Sequence, residues 1–172
     1  AELADDKPMI EAFKSGIDIH TLTAAEMFGI DPSDVTKDQR SGAKTINFGV
    51  LYGMSPHGLS QATGMDYAES RAFIDRYFEL RKGVADYIER IKIQAHAKGY
   101  TETLFGRRRP CPDVKSNNYV IRSAAERAAV NMPLQGTAAD MMKLAMIKIA
   151  QTLPKGAQML LQIHDELIIE CG

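Results

Sequence analysis

Along most of this chain apolar residues recur at helical rather than strand spacing, in short blocks separated by Gly, Pro and Asp. Residues 8–14 form one amphipathic block stopped at Gly16, and residues 20–27 form another stopped at Gly29, ahead of an Asp31-Pro32 turn. Thr36 followed three positions later by Gln39 is a capping box, which predicts a helix running to Tyr52 with Gly53 as its stop. Asp66 with Glu69 repeats the device and opens a helix through Phe78. A further helix over 84–98 closes at Gly99, and the two are expected to pair as a helical hairpin. The period then shortens. Residues 100–104 alternate, Gly106 turns, and Arg107-Arg108-Arg109-Pro110 returns, which predicts a two-stranded ribbon with a basic tip. Two helices, 119–131 and 135–153, are expected on either side of Pro133, because a proline ring clashes with a continuing turn. Apolar runs at 158–163 and 167–170 flank His164-Asp165-Glu166, a hairpin that puts a carboxylate at the end of a sheet. The predicted class is α+β, predominantly α-helical, with a C-terminal β-hairpin.

Composition changes this picture little. At 172 residues, 45% of them apolar, the chain can bury the core of one ordinary domain. With 21 Lys and Arg against 22 Asp and Glu there is no bulk field to attract nucleic acid, so any anion site must be local. Cys111 and Cys171 have neither metal nor disulfide spacing, which suits a reducing cytoplasm. No apolar run is long enough to cross a bilayer and no basic-then-apolar leader opens the chain, so neither membrane insertion nor secretion is expected. The chain opens on Ala1 rather than Met and stops at Gly172 directly after a strand-like run, as a segment cut from a longer protein would.

Candidate chemistry concentrates on the helix over 36–52. Arg40, Lys44, Phe48 and Tyr52 recur every fourth residue and share one slowly drifting stripe. Successive members are separated by roughly 6 Å of rise, so two cations come first and two aromatic rings follow. That order suits a nucleoside triphosphate: a guanidinium forks onto phosphate oxygens, an ammonium acts as a point charge, and the rings offer flat surfaces to sugar and base. Periodicity alone favours a plainer reading, in which the cations face solvent and the rings face a core. Against it, Asn47, Gly49 and Gly53 are poor helix formers set among the rings, a cost in stability unless something must approach closely or the helix must bend.

The pattern Arg40-x3-Lys44-x7-Tyr52-Gly53, within AKTINFGVLYGMS, resembles the nucleotide-binding fingers motif of the family A DNA polymerases, the family of bacterial DNA polymerase I. Four other stretches resemble the family in the same order: DIHTLTA at 18–24, TLFGRRRP at 103–110, NMPLQGTAADMMKLAM at 131–146 and QIHDELIIE at 162–170. Nearly the whole chain is covered. The resemblance implies a helical fingers subdomain, mainly residues 1–118, packed on a partial palm, residues 119–172, that carries a metal-binding hairpin. It implies that Arg40 and Lys44 grip the triphosphate of a dNTP with help from His20, that Phe48 packs on its sugar and base, and that Tyr52 guards the templating position. Asn131, Gln135 and His164 would line the minor groove of primer-template DNA, where acceptors common to all correct pairs are found, and Arg127 would hold the template strand. Arg107 and Arg108 are expected on DNA phosphate, against the plainer reading of a solvated loop tip.

On residues alone, His164-Asp165-Glu166 reads as a solvated turn. With the resemblance, Asp165 becomes a catalytic, metal-binding carboxylate with Glu166 supporting it, because two Mg²⁺ ions clamping attacking and leaving oxygens require oxygen ligands. Lys44 is the third residue expected to serve the chemistry. Met141, Met142 and Met146 are expected to fill core, and Glu69, Arg71, Asp75 and Arg76 to form a solvated helix face.

Two departures from the family pattern stand out. Ser41 occupies a place where family members often carry a second Arg, which weakens the phosphate or template contact expected there. The family's upstream metal-binding aspartate and its thumb fall outside the chain, so the isolated segment is expected to be inactive although its parent, a monomer, polymerises DNA. Alternatives left open by the residues are a single-subunit RNA polymerase with similar Arg, Lys and Tyr-Gly spacing, a non-catalytic nucleotide- or DNA-binding module, and an inert helical scaffold.

Overall fold

Asp6, Asp18, Thr36, Ser55 and Asp66 each accept the backbone N–H three residues ahead, and each starts a helix: α1 (Lys7–Lys14), α2 (Ile19–Phe28), α3 (Lys37–Leu51), α4 (Pro56–Thr63) and α5 (Tyr67–Leu80). Thr36 and Asp66 head full capping boxes reciprocated by Gln39 and Glu69, as their spacing predicts. Residues 54–65, for which the apolar pattern predicts no element, hold α4, with Pro56 at its first position. Helix α6 (Lys82–Lys98) follows α5 after the single residue Arg81. One residue is too short a link for two helices to fold back on each other, so the expected helical hairpin is not formed.

The computed structural model describes all 172 residues, and the chain divides into two compact units, Ala1–Ala97 and Lys98–Gly172. In the first unit Ile46 and Val50 of α3 pack against Leu59 of α4 and against Ile74 and Tyr77 of α5, ringed by Met27, Met54, Phe73 and Phe78. The buried positions of α3, namely Ala43, Ile46, Asn47 and Val50, fall at helical spacing and fix which side of it faces inward. Its end is equally determined. The Met54 N–H reaches the Gly49 carbonyl at 2.7 Å and the Gly53 N–H that of Val50 at 3.0 Å, with Gly53 at φ 81°. This Schellman turn needs a residue without a β-carbon. It also folds Met54 over Gly49, where a β-carbon would overlap the thioether methyl.

In the second unit β1 (Tyr100–Glu102) pairs antiparallel with β2 (Arg108–Pro110), and β3 (Ala157–Ile163) with β4 (Glu166–Cys171), so the predicted ribbon and hairpin are both present. The hairpin register shifts between Met159 and Leu161, leaving Ile163 opposite Glu166. Between the sheets, α7 (Tyr119–Thr152) runs through Pro133 without a break, which corrects the expected pair of helices. An interior proline costs about 3 kcal/mol. Here Pro133 is itself buried beside Ala129, Val130, Met132 and Thr137, and burial of this largely apolar face offsets the lost hydrogen bond. Met141 is exposed rather than core. Glu69, Arg71, Asp75 and Arg76 are exposed on α5 as expected. No helix is long and apolar enough to cross a membrane.

The tip of the ribbon is fastened to α7. The Leu104 N–H donates to Thr137 Oγ1 at 3.1 Å, Thr103 Oγ1 accepts the N–H groups of Phe105 and Arg107 at 3.2 Å each, and the Arg107 guanidinium pairs with the Asp140 carboxylate. Two stretches far apart in sequence, TLFGRRRP and QGTAAD, are thus two sides of one contact. Gly136 lies at its centre, where an added β-carbon would stand 2.7 Å from Thr103 Cγ2. Gly136→Ala is expected to lower stability by about 1–2 kcal/mol despite alanine's better helix propensity, read from the denaturation midpoint. Adding Thr103→Ser, which deletes the opposing methyl, should restore most of the loss; a single variant more stable than wild type would contradict the tight contact.

Candidate functional site

Arg40, Lys44 and Phe48 are exposed on α3 and Tyr52 is half-buried at its C-cap, on a side separate from the buried stripe. Phe48 is 47% exposed and so does not serve the core. Its neighbours are other site residues. The His20 ring, reaching over from α2, lies 5.8 Å from it at a tilt of 47°, and the Tyr52 ring lies 6.2 Å away and closer to parallel, at 26°. All five residues expected to hold a nucleotide are therefore gathered on one surface of the first unit.

The electrostatics of that surface turn on a residue to which the sequence assigns no role. Asp18 forks with Arg40, Oδ2 to Nε at 2.6 Å and Oδ1 to Nη2 at 3.1 Å, while its Oδ2 also accepts from the Thr21 N–H at 3.0 Å and the Thr21 hydroxyl at 2.6 Å. The hydrogen bonds from Arg40, aided by those from Thr21, hold the Asp18 carboxyl far below the usual carboxylate range against partial burial. The carboxylate in turn raises Arg40. Asp18 therefore stays ionised from neutral into mildly acidic pH, and the pair is lost only as pH falls toward that depressed value. Both side chains remain well hydrated, at 48% and 38% exposure, so the pair is weak and the guanidinium can be surrendered to a more highly charged anion. Burial pushes the His20 imidazole down, the Arg40 and Lys44 cations add to this, and Asp18 opposes it. Beneath the rings lie further polar groups that the sequence does not single out: Asn47, Thr23 and Arg81 are all buried.

In the second unit Arg127, Asn131 and Gln135 follow at intervals of four along α7. Because that helix is unbroken at Pro133, they lie along one side of it. Arg127 and Gln135 are exposed, and Arg127 Nη1 donates to Ser123 Oγ at 2.8 Å. Asn131 Oδ1 is buried without a hydrogen-bond partner. Arg107 and Arg108 are already engaged: Arg107 by Asp140, and Arg108 by Glu102 at 3.2 Å and by the Tyr100 ring, 4.6 Å beneath its guanidinium. Both brace the ribbon, and a phosphate would have to compete for them.

At the hairpin, His164 and Asp165 form a two-residue turn between Ile163 and Glu166. His164 adopts φ 53°, a left-handed conformation that costs a residue with a β-carbon, and its carbonyl accepts from Gln162 Nε2 at 2.9 Å. Asp165 and Glu166 are exposed. Two adjacent hard oxygen donors fit a cation of the Mg²⁺ type, which takes one or two carboxylates and completes its shell with substrate phosphate and water. Nowhere do three or more His, Cys, Asp or Glu gather as a closed metal cage.

The sequence profile of DNA polymerase family A matches residues 1–172. Thermostable DNA polymerase I of Thermus filiformis is 55% identical over 171 residues, covering 99% of this chain and 20% of that protein. DNA polymerase I of Streptococcus pneumoniae serotype 4 is 48% identical over 174 residues, with the same 99% and 20% coverage. Among solved structures, the POL domain of Pol1 from M. smegmatis, in complex with DNA primer-template and dNTP, matches with a TM-score of 0.90 and 40% identity, over 98% of this chain and 30% of that one. The chain spans about a fifth of the length of these curated relatives. Motifs and fold agree with a profile that spans residues 1–172: the chain belongs to DNA polymerase family A.

Proposed function

We propose that this chain is the fingers, mainly residues 1–118, and part of the palm, residues 119–172, of a monomeric, cytoplasmic, template-directed DNA polymerase. The observation that carries the proposal is the exposed surface of α3, on which Arg40 and Lys44 precede Phe48 and Tyr52, with the His20 ring tilted against Phe48. Arg40 would exchange Asp18 for triphosphate oxygens, a trade of one charge for several. Lys44 would neutralise charge developing on the phosphate under attack, and Phe48 would seat sugar and base. Binding at fixed distances along a rigid helix supplies orientation as well as affinity. On the palm side, Asn131, Gln135 and His164 would meet minor-groove acceptors of the primer-template end, and Arg127 the template backbone.

Asp165 and Glu166 would hold Mg²⁺ at the hairpin turn. When bound, such ions stabilise charge on the attacking primer 3′-oxygen and the departing pyrophosphate. Two carboxylates are fewer than a pair of ions requires, so the 172-residue chain alone is expected to bind nucleotide or DNA without extending a primer. In a complete polymerase containing this segment, primer extension on a defined template is expected with dNTPs and should fall by about a hundredfold or more with rNTPs. Comparable use of both would favour a single-subunit RNA polymerase instead.

A further inference from the structure

The polar groups buried under the aromatic strip form a chain that ends on His20. Arg81, its side chain 6% exposed, is neutralised by Glu26 Oε2 at 3.2 Å and lies 4.4 Å over the Tyr77 ring. Its Nη2 donates to Thr23 Oγ1 at 3.2 Å. The Thr23 hydroxyl faces Asn47 Oδ1 at 3.1 Å, sharing its proton with the Ile19 carbonyl at 2.9 Å, and Asn47 Nδ2 lies 3.1 Å from His20 Nδ1. Thr23 is fully buried and Asn47 is 4% exposed, so water cannot stand in for any of these partners.

The chain has a direction. Arginine only donates, so the Thr23 oxygen accepts there, and its one proton is shared between the Ile19 carbonyl and Asn47 Oδ1, the Asn47 atom that faces it. That leaves the Asn47 amide NH₂ for His20, and a nitrogen facing a donor must be unprotonated. We propose that Asn47, oriented by Thr23 and Arg81, is a positioning residue that fixes neutral His20 as the tautomer protonated on Nε2, so that the ring nitrogen farthest from Asn47 can only donate. This rests on the nucleotide reading above, in which a phosphate oxygen accepts that proton. The opposite tautomer would present a lone pair to phosphate and lose a charge-assisted hydrogen bond, a change of about tenfold or more in affinity.

The test reads the tautomer directly. In the ¹⁵N-labelled chain at neutral pH, long-range ¹H–¹⁵N correlations are expected to show His20 protonated at Nε2 and bare at Nδ1. Asn47→Asp, whose carboxylate accepts on both oxygens, should place a proton on Nδ1, as the other neutral tautomer or as the imidazolium. Thr23→Val, isosteric but without the hydroxyl, should mix the tautomers, whereas Thr23→Ser should leave Nε2–H in place. In a complete polymerase, Asn47→Asp and Thr23→Val should raise KM for dNTP about tenfold with a smaller change in kcat, and Thr23→Ser should change neither. Wild-type His20 protonated at Nδ1, or at both nitrogens, overturns the proposal, and that readout requires no variant to fold. A correct tautomer whose signals ignore added dNTP would instead mean that the nucleotide reading has failed, and the role given to Asn47 with it.

Discussion

Asp165→Asn is expected to lower the rate of nucleotidyl transfer in a complete polymerase by about a thousandfold or more, while primer-template affinity changes by less than about threefold. The variant keeps the shape of the two-residue turn and removes only the charge. A neutral amide cannot hold a hard divalent cation as a carboxylate does, so on the proposed role of Asp165 charge at the attacking and leaving oxygens would go unmatched. In the proposed reading, DNA affinity would reside in phosphate and groove contacts that the substitution leaves alone. Single-turnover extension beside equilibrium DNA binding separates the two quantities. Retention of a tenth or more of the rate would remove Asp165 from the chemistry.

The second large effect concerns Lys44. Unlike Arg40, which Asp18 already engages, Lys44 makes no ion pair, and it stands exposed between Arg40 and Phe48 on the stripe. An unengaged ammonium at that point can respond to charge that appears only in the transition state. Lys44→Ala is expected to slow the chemical step by about a hundredfold or more, with little change in DNA affinity. Equal losses of rate and of DNA binding would mean that Lys44 serves only as a general cation.

Much of this arrangement is legible along the chain because it is local. The capping boxes at Thr36 and Asp66, the stop at Gly53 and the four-residue spacing of Arg40, Lys44, Phe48 and Tyr52 depend on residues within a turn or two of one another. What periodicity could not give was which side of α3 is buried, since Phe48 and Ile46 are equally apolar; tertiary packing against Leu59 and Ile74 settles that. The other omissions are non-local. Asp18 lies 22 residues before Arg40, and Arg81 lies 58 residues after Thr23, so no sequence window shows either pair. Pro133 misleads for the same reason: its local cost is plain, but the buried face that offsets it exists only in the folded unit. Arg107 adds a further non-local pair, its guanidinium meeting Asp140 33 residues along the chain.

The most direct measurement is a titration of a deoxynucleoside triphosphate with Mg²⁺ into the ¹⁵N-labelled chain. Signals of His20, Arg40, Lys44, Phe48 and Tyr52 should move together and saturably, while Ile46 and Val50 on the buried side stay still. A cavity of about 550 Å³ lined in part by Met27, Phe28, Gln39, Thr45 and Met65 offers an internal control, since it holds none of the residues proposed to bind nucleotide. Shifts confined to that cavity, or a stripe that does not respond at saturating nucleotide, would contradict the claim that this exposed surface of α3 receives the triphosphate.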